Sequence, residues 1–300
     1  MRRVPRATWE AQRAAYHARV RPWAVARVQR MSHGQKHPVY DFLFEYYSFR
    51  PAHLCRWSPG YEVILDEATI NDVLWREFVP CDNGVQLLVT AFPEHRVPYL
   101  NWAVEYLATT GQREPTYSCM GLHEWAMVYQ DLEVRHPYVP LRLSRRDIDS
   151  VIESQSLRCS HYDAFRFFTP PAVLRNRWQL TRAATTENDQ PGCVHVTMDL
   201  YRFAYKIAPF CPSDLLADAF ELAIAARELD MRASPYDLAA YGFKPICIET
   251  TDGRNEYIQA QRELYLRAQP IRDRLLGVYR GMLRERRKNS EQLLKFRSLE

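Results

Sequence analysis

Apolar positions recur at helical spacing along most of the chain. In residues 7–30 arginines cover one side of the predicted helix, and large apolar residues recur on the other at intervals of seven, four and three: Trp9, Tyr16, Val20 and Trp23. This pattern predicts an amphipathic helix. Pro22 lies inside it, and because proline lacks an amide hydrogen we expect a kink or two shorter helices.

Similar patterns continue towards the C-terminus. Further helices are predicted at 37–51, at 96–110, after a Ser144 cap, at 193–207 and after a Ser213 cap. Pro270 is predicted to begin a long basic C-terminal helix, because proline is tolerated in the first turn.

Only two short segments favour strands, and one stretch favours a surface loop. The strand-like runs are SPGYEVILDEA and GFKPICIETTDG, whereas the polar loop is TRAATTENDQPG. No internal repeat or low-complexity linker interrupts the chain. The sequence therefore predicts a mainly α-helical protein, with residues 1–300 forming a single compact multi-helix domain that contains a small β element.

Charge divides this predicted domain into three parts. Residues 1–36 carry a net charge of +8 and residues 262–300 a net charge of +6, so residues 37–261 carry −10 within a total of +4. We expect a basic N-terminal helical segment, a core with the candidate pocket, and a basic C-terminal helix. The basic ends either contact nucleic-acid phosphates or an acidic partner, or form ordinary solvated helix faces.

Composition excludes several functional classes. Ten glycines in 300 residues argue against a glycine-rich phosphate loop, and no apolar run reaches the roughly 18 residues of a membrane helix. The basic N-terminus leads into no apolar segment typical of a secretion signal. Seven scattered cysteines suit a reducing compartment better than a disulfide framework. We expect a cytoplasmic protein without a membrane partner.

Candidate chemistry is concentrated in three aromatic-rich segments. His195 and Asp199 are four residues apart, which places them on one face of the predicted helix at 193–207. In a helical fold the three segments can meet at one pocket. Each combines a cysteine, a histidine and a carboxylate within a few residues: Cys119, His123 and Glu124; Cys159, His161 and Asp163; Cys193, His195 and Asp199.

Three interpretations of these residues stay open. Histidines with nearby carboxylates can hold a transition metal ion such as iron, manganese or zinc, and the ligands here would be His123, His161 and His195. Without a metal or other cofactor, Asp199 beside His195 could stabilise a sugar oxocarbenium ion or activate water. Buried histidines and cysteines can also be purely structural.

Aromatic residues are abundant beside the three segments and suit a planar substrate. Aromatic walls stack on rings such as a nucleobase, although at helical spacing they also fill ordinary cores. Arg232 is predicted to hold an anionic group, or to complement the dipole at a helix end. The other substrate contacts are predicted for His123, Trp125, His161, Tyr162, Phe165 and Tyr201.

Several long motifs resemble a bacterial family of about this length. The motifs are HPVYDFLFEYYSFRPAHLCRWSPG, GLHEWAMVY, CSHYDAFRFFTP, QPGCVHVTMDLYRFAY and LDMRASPYDL, and they extend from about His37 to Thr250. The family that they resemble is commonly labelled 3-methyladenine DNA glycosylase. This resemblance implies excision of an alkylated base by cleavage of its N-glycosidic bond, with the base flipped into an aromatic pocket.

These observations together predict an N-glycosidase for a purine-type base, in DNA or in a nucleoside. Asp199 or Asp163 would stabilise the oxocarbenium ion, and Glu124 or a histidine such as His195 would transfer the proton. The base would stack on Trp125, Tyr162 and Phe165. One alternative is a helical metalloenzyme that uses the three histidines for oxidative or hydrolytic chemistry. Another is a non-enzymatic nucleic-acid-binding protein that uses the basic ends.

Overall fold

The computed structural model describes residues 1–131 and 136–297. Helices make up 58% of it and a four-stranded sheet 7%, which confirms the mainly α-helical prediction. None of the described helices has the length and apolarity needed to cross a bilayer. The α-helices in the described ranges are α1 (Arg6–Ser32), α2 (Phe42–Glu45), α3 (Pro51–Leu54), α4 (Val97–Gln112), α5 (Leu122–Ala126), α6 (Arg145–Ser154), α7 (Tyr162–Phe165), α8 (Pro170–Arg175), α9 (Thr185–Asn188), α10 (Val194–Lys206), α11 (Ser213–Arg232) and α12 (Thr251–Arg297).

Four short strands form one sheet beside α1, where Trp9 donates its indole N–H to the carbonyl of Asp66. The order across the sheet is β1-β2-β4-β3, with β1 parallel to β2 and the other two pairs antiparallel. β2 confirms the strand predicted in SPGYEVILDEA. The strands are β1 (Arg2–Val4), β2 (Val63–Asp66), β3 (Phe78–Cys81) and β4 (Gly84–Leu87).

The helical core is built around α10 and α11. α10 packs chiefly on α11, α12 packs against both of these helices, and α4 packs against α12. Most of α11 is buried, with apolar residues on nearly every side of the helix. A charged residue on a buried face of this helix must find its partner inside the protein, because burying an unpaired charge is very unfavourable.

Two prolines lie inside helices rather than at their ends. α1 continues through Pro22, so two shorter helices do not form. The prediction that Pro270 begins the C-terminal helix is wrong, because α12 begins at Thr251 and passes through this proline. An internal proline costs about 3 kcal/mol of helix stability. The packing of α12 on α4, α10 and α11 offsets that cost. Local sequence signals could not predict this packing, because its partners are distant in the sequence.

Two other predicted elements are also wrong. The helix predicted at 37–51 is reduced to α2 and turns, in which Ser48 takes a positive φ of 54°. Its aromatic residues Tyr47 and Phe49 instead pack on Tyr201 of α10. GFKPICIETTDG forms no strand, although its isoleucines are buried. Core packing of these apolar side chains requires neither a long helix nor a strand.

Arginines of the two basic ends pair with acidic residues of α11. Arg19 donates to Asp218 and Glu221 at 2.7 Å, and Arg274 donates to Asp214 and Asp218 at 2.5 Å. These side chains are partly exposed, so each pair contributes little stability. The pairs neutralise part of the basic surface and connect α1 and α12 to the same helix.

A more buried ion pair fixes the segment after α1. The carboxylate of Asp41 is almost inaccessible and accepts hydrogen bonds from Arg27 at 2.8 Å, from Arg30 at 3.0 Å and from the amide of His37 at 2.9 Å. Burial alone would raise the pKa of Asp41. Arg30, the His37 amide and Arg27 together outweigh this effect and hold the pKa below its ordinary value.

We expect Asp41→Asn to lower the free energy of unfolding by about 3 kcal/mol at pH 7, because it leaves two arginines without their buried partner. The folded-state pKa is depressed, so this stabilisation is present above about pH 4 and is lost as pH falls further. The difference between wild type and variant should therefore shrink towards pH 2 in urea denaturation. As a control, Asp218→Asn should cost less than about 1 kcal/mol. Equal losses in the two variants would contradict this account.

Candidate functional site

The short helix α5 places two functional groups at consecutive positions. It follows Gly121, whose φ of 77° is readily adopted only by glycine. A Cβ atom at Gly121 would lie 3.1 Å from the Cβ of Ala233 and 3.4 Å from the ring of Tyr257. The missing side chain thus lets α5 approach α11 and α12 closely. His123 and Glu124 are buried as a result.

The rings of the three predicted histidines lie next to one another. His195 of α10 is in the middle: its centroid is 4.5 Å from that of His123, with the planes at 72°, and 5.3 Å from that of His161, with the planes at 8°. All three side chains are buried. The structure therefore brings together the three segments whose contact the sequence could not establish.

His195 belongs to a compact group of atoms of the types that bind metal ions. One atom each from His123, His195 and Asp230 lie within 4.8 Å of one another. Nε2 of His123 is 2.6 Å from Oδ1 of Asp230, and its Nδ1 is 3.4 Å from the sulfur of Cys119. In the described part of the chain, His195 has ring contacts but no hydrogen bond to its imidazole. Its ring is therefore available to a ligand.

Arg227 lies on the same helix as Asp230 and supports this group. Its Nη1 donates to Oδ2 of Asp230 at 2.6 Å and to Oε1 of Glu124 at 2.8 Å. The ring of Phe42 covers the guanidinium, with 3.9 Å between Cζ and the ring centroid. Nε and Nη2 of Arg227 are buried without a hydrogen-bond partner among the described residues.

The charge states of the group follow from burial and pairing. Burial alone would lower the pKa of His123, but Asp230 and Cys119 raise it well above its ordinary value. Burial opposes ionisation of Asp230 as well, yet His123 and Arg227 hold the pKa of its carboxyl below the ordinary value. Burial and the charge on His123 lower the pKa of His195 well below its ordinary value. A His123–Asp230 ion pair thus lies beside a neutral imidazole.

His161 belongs to a second buried network. Its Nδ1 is 3.1 Å from Oδ1 of Asp189, and the hydroxyl of Tyr106 donates to Oδ2 at 2.6 Å. The pKa of His161 is raised, because Asp189 outweighs the effect of burial. Asp189 is fully buried, so the prediction that its polar stretch is a surface loop is wrong at this residue. The chain turns inward after α9 and meets α4.

Asp199 lies one helical turn further along α10 and has other partners. Its Oδ1 accepts a hydrogen bond from Tyr47 at 2.9 Å, and its Oδ2 accepts one from Arg202 at 2.5 Å. Arg202 also lies 3.7 Å from Asp163, which pairs with Arg166. Burial raises the pKa of Asp199, and Arg202 offsets part of that effect. Both predicted catalytic aspartates are thus paired with arginines.

Two small cavities flank His195, each of about 10 Å³. This volume accommodates roughly one water molecule, whereas pockets for larger organic ligands start at about 300 Å³. Neither cavity accommodates a nucleobase in this conformation. The arginine-side cavity is lined by Phe42, Tyr46, Glu124, Asp163, His195 and Arg227. The cysteine-side cavity is lined by Cys119, His123, Cys159, Cys193, His195 and Gln261.

The aromatic residues predicted to stack on a base line neither cavity. Trp125 is fully buried and donates its indole N–H to the carbonyl of Ala233 at 2.8 Å. Phe165 packs on Phe168, and Tyr201 packs among other aromatic rings of the core. Tyr162 begins α7 and is half-buried. Phe42 and Tyr46 occupy the cavity wall instead.

Arg232, the predicted anion contact, lies away from both cavities. It donates to the carbonyl of Lys244 at 2.9 Å and pairs with Glu256 at 3.2 Å. The arginine of α11 that enters the site is Arg227, which the sequence prediction omits together with the role of Asp230. One signal could have identified them: two opposite charges three residues apart in the largely apolar second half of α11.

A much larger cavity, of about 720 Å³, lies between α1, α11 and α12. Two of its three arginines, Arg19 and Arg274, are already paired with carboxylates of α11. None of the predicted site residues line it. The residues on its walls include Tyr16, Arg19, Trp57, Tyr61, Ser213 and Arg274.

We expect Asp189→Asn to lower the free energy of unfolding by about 3 kcal/mol. The amide removes the negative charge and replaces one of the two oxygens that accept from Tyr106 and His161 with a donor. Tyr106→Phe removes only one of these hydrogen bonds and should cost about 1 kcal/mol. Guanidinium chloride denaturation of both variants measures the difference. A loss below about 0.5 kcal/mol for Asp189→Asn would show that the network does not stabilise the fold.

No protein-family model, curated protein or solved structure matches this chain. The function therefore has to be inferred from the residues of the site. The most specific feature there is the group of His123, His195 and Asp230, because three different helices supply its ligand-type atoms.

Proposed function

We propose that this protein is a metal-dependent enzyme whose reaction centre consists of His123, His195 and Asp230. The observation that carries this proposal is the convergence of two imidazoles and one carboxylate, all buried, from α5, α10 and α11. Two histidines with one carboxylate form a ligand set used by catalytic zinc and by non-haem iron. Compared with the ligands expected from the sequence, Asp230 takes the place of His161.

The neighbours of these residues fit a metal centre. Ligating side chains in metalloenzymes are usually oriented by a second hydrogen bond. Asp230 has one through its Oδ2, from Arg227, and Nδ1 of His123 faces the sulfur of Cys119. Each of these two ligands thus has a second contact, while Nε2 of His123 and Oδ1 of Asp230 face each other at 2.6 Å.

A divalent transition metal ion bound there would supply Lewis acidity to a substrate. The three residues would hold the ion, and the arginine-side cavity beside His195 would provide the space for a reacting group. The proton shared by His123 and Asp230 would leave on binding, because ligands bind in the deprotonated form. Zinc would indicate hydrolytic chemistry and iron would indicate oxidative chemistry.

N-glycosidase activity on a purine-type base, which the sequence resemblance implies, stays a prediction. It requires the segments around the two cavities to open, since a purine is far larger than about 10 Å³. Its direct assay is the release of methylated base from alkylated DNA. DNA binding through the basic ends also stays a prediction. Two arginines of these ends, Arg19 and Arg274, already form ion pairs with carboxylates of α11.

The metal content of the untagged protein tests the proposed centre. We expect about one equivalent of a single transition metal per chain, by mass spectrometry of the dialysed protein. His195→Asn should reduce this to below about 0.1 equivalent, because two remaining ligands bind too weakly. His161→Asn is the matched control: it removes a neighbouring histidine that is held by Asp189, and it should retain the metal.

Circular dichroism of both variants ensures that only folded protein is compared. Wild-type protein that takes up less than about 0.1 equivalent, even after incubation with zinc or ferrous iron, would refute the metal centre. Loss of metal in His161→Asn but not in His195→Asn would contradict the proposed ligands, because the metal would then bind beside His161 and Asp189.

A further inference from the structure

Arg227 has more hydrogen-bonding capacity than the protein uses. Its side chain is 1% exposed, and a single nitrogen, Nη1, serves both Asp230 and Glu124. Nε and Nη2 have no hydrogen-bond partner among the described residues. Buried donors are nearly always paired, because leaving one unpaired costs about 1–3 kcal/mol. Two unpaired nitrogens on one buried cation therefore indicate a missing acceptor.

The arginine-side cavity is where such an acceptor can lie. Arg227 and His195 both line it, so a group in this cavity is next to Arg227 and to a proposed metal ligand. The inner wall is buried, and the cavity extends towards the half-buried residues Phe42, Tyr46 and Phe167. A molecule could place one small end group inside while its remainder lies between these rings.

The charge of the centre indicates what this end group is. A divalent ion and Arg227 would carry three positive charges, whereas Asp230 and Glu124 carry two negative ones. With neutral histidine ligands, one positive charge remains in a buried site, where its Coulomb attraction for an anion is strong. Asp163 also lines the cavity, but Arg166 at 3.0 Å and Arg202 at 3.7 Å offset its charge.

We infer that the substrate has a small anionic end, a carboxylate or an oxyanion of similar size, which binds between Arg227 and the metal ion. Nε and Nη2 are adjacent donors of one planar guanidinium, and this fork matches the two oxygens of a carboxylate. Asp230, which contacts both the metal site and Arg227, would couple the two. This inference rests on the proposed metal centre.

Titration of the cobalt-loaded protein with formate tests this inference. The visible spectrum of bound cobalt responds to added ligands. Formate is the smallest carboxylate, so it requires the least enlargement of a cavity that now accommodates about one water molecule. We expect saturable binding, and we expect Arg227→Lys to weaken it at least about tenfold. The lysine keeps a positive charge near Glu124 and Asp230 but lacks the two forked donors. Met127→Leu, at the same cavity wall, is the control and should change the affinity less than about threefold.

The two proposals fail in different ways. A protein that takes up no cobalt would refute the metal centre and this inference together. A protein that takes up one equivalent, yet shows no spectral change with formate or shows equal affinity in Arg227→Lys, would refute only the anion site. Cobalt content and circular dichroism of each variant establish that weaker formate binding in Arg227→Lys does not reflect lost metal or lost folding.

Discussion

The ion pairs that Arg227 makes with Asp230 and Glu124 constrain the rest of the site. Arg227 and Asp230 lie in α11, most of which is buried, and Glu124 lies in the buried helix α5, so each charge depends on the others. Breaking such a buried pair costs about 3–5 kcal/mol, although replacing all members by apolar residues is often neutral. Stability alone therefore does not require charges at these positions. A physical reason for these buried charges is a bound ligand: Arg227 keeps Asp230 ionised and oriented towards it.

This constraint also explains how the surrounding elements are arranged. Arg227 and Asp230 share one face of α11, so α5 must approach that face to bring Glu124 and His123 to them. Gly121 permits this approach, and α10 then places His195 against His123. Outside this centre, Asp189 and Arg202 hold His161 and Asp199 in separate networks. The three Cys-His-carboxylate segments thus converge. Their polar residues belong to three separate groups: the proposed metal centre, the pair of His161 with Asp189, and the pair of Asp199 with Arg202.

Much of the fold could be predicted from the sequence, and less of the site. Helical periodicity and helix-boundary residues identified α1, α4, α6, α10 and α11, because both are local features of the sequence. It could not show that α12 passes through Pro270, since contacts with distant helices decide that. The histidines were recognisable by residue type and grouping. The roles of Asp230 and Asp189 were not predicted, because their histidine partners lie 107 and 28 residues away in the sequence.

X-ray absorption spectroscopy of the metal-loaded protein tests the central claim most directly, because it identifies the atoms bound to the ion. We predict a first shell of nitrogen and oxygen at about 2.0–2.2 Å, with outer-shell scattering from two imidazoles. His195→Asn should remove one imidazole contribution from whatever metal remains. A sulfur shell at about 2.3 Å would contradict the account, because the ion would then be bound by the neighbouring cysteines. Scattering from oxygen alone would also contradict it.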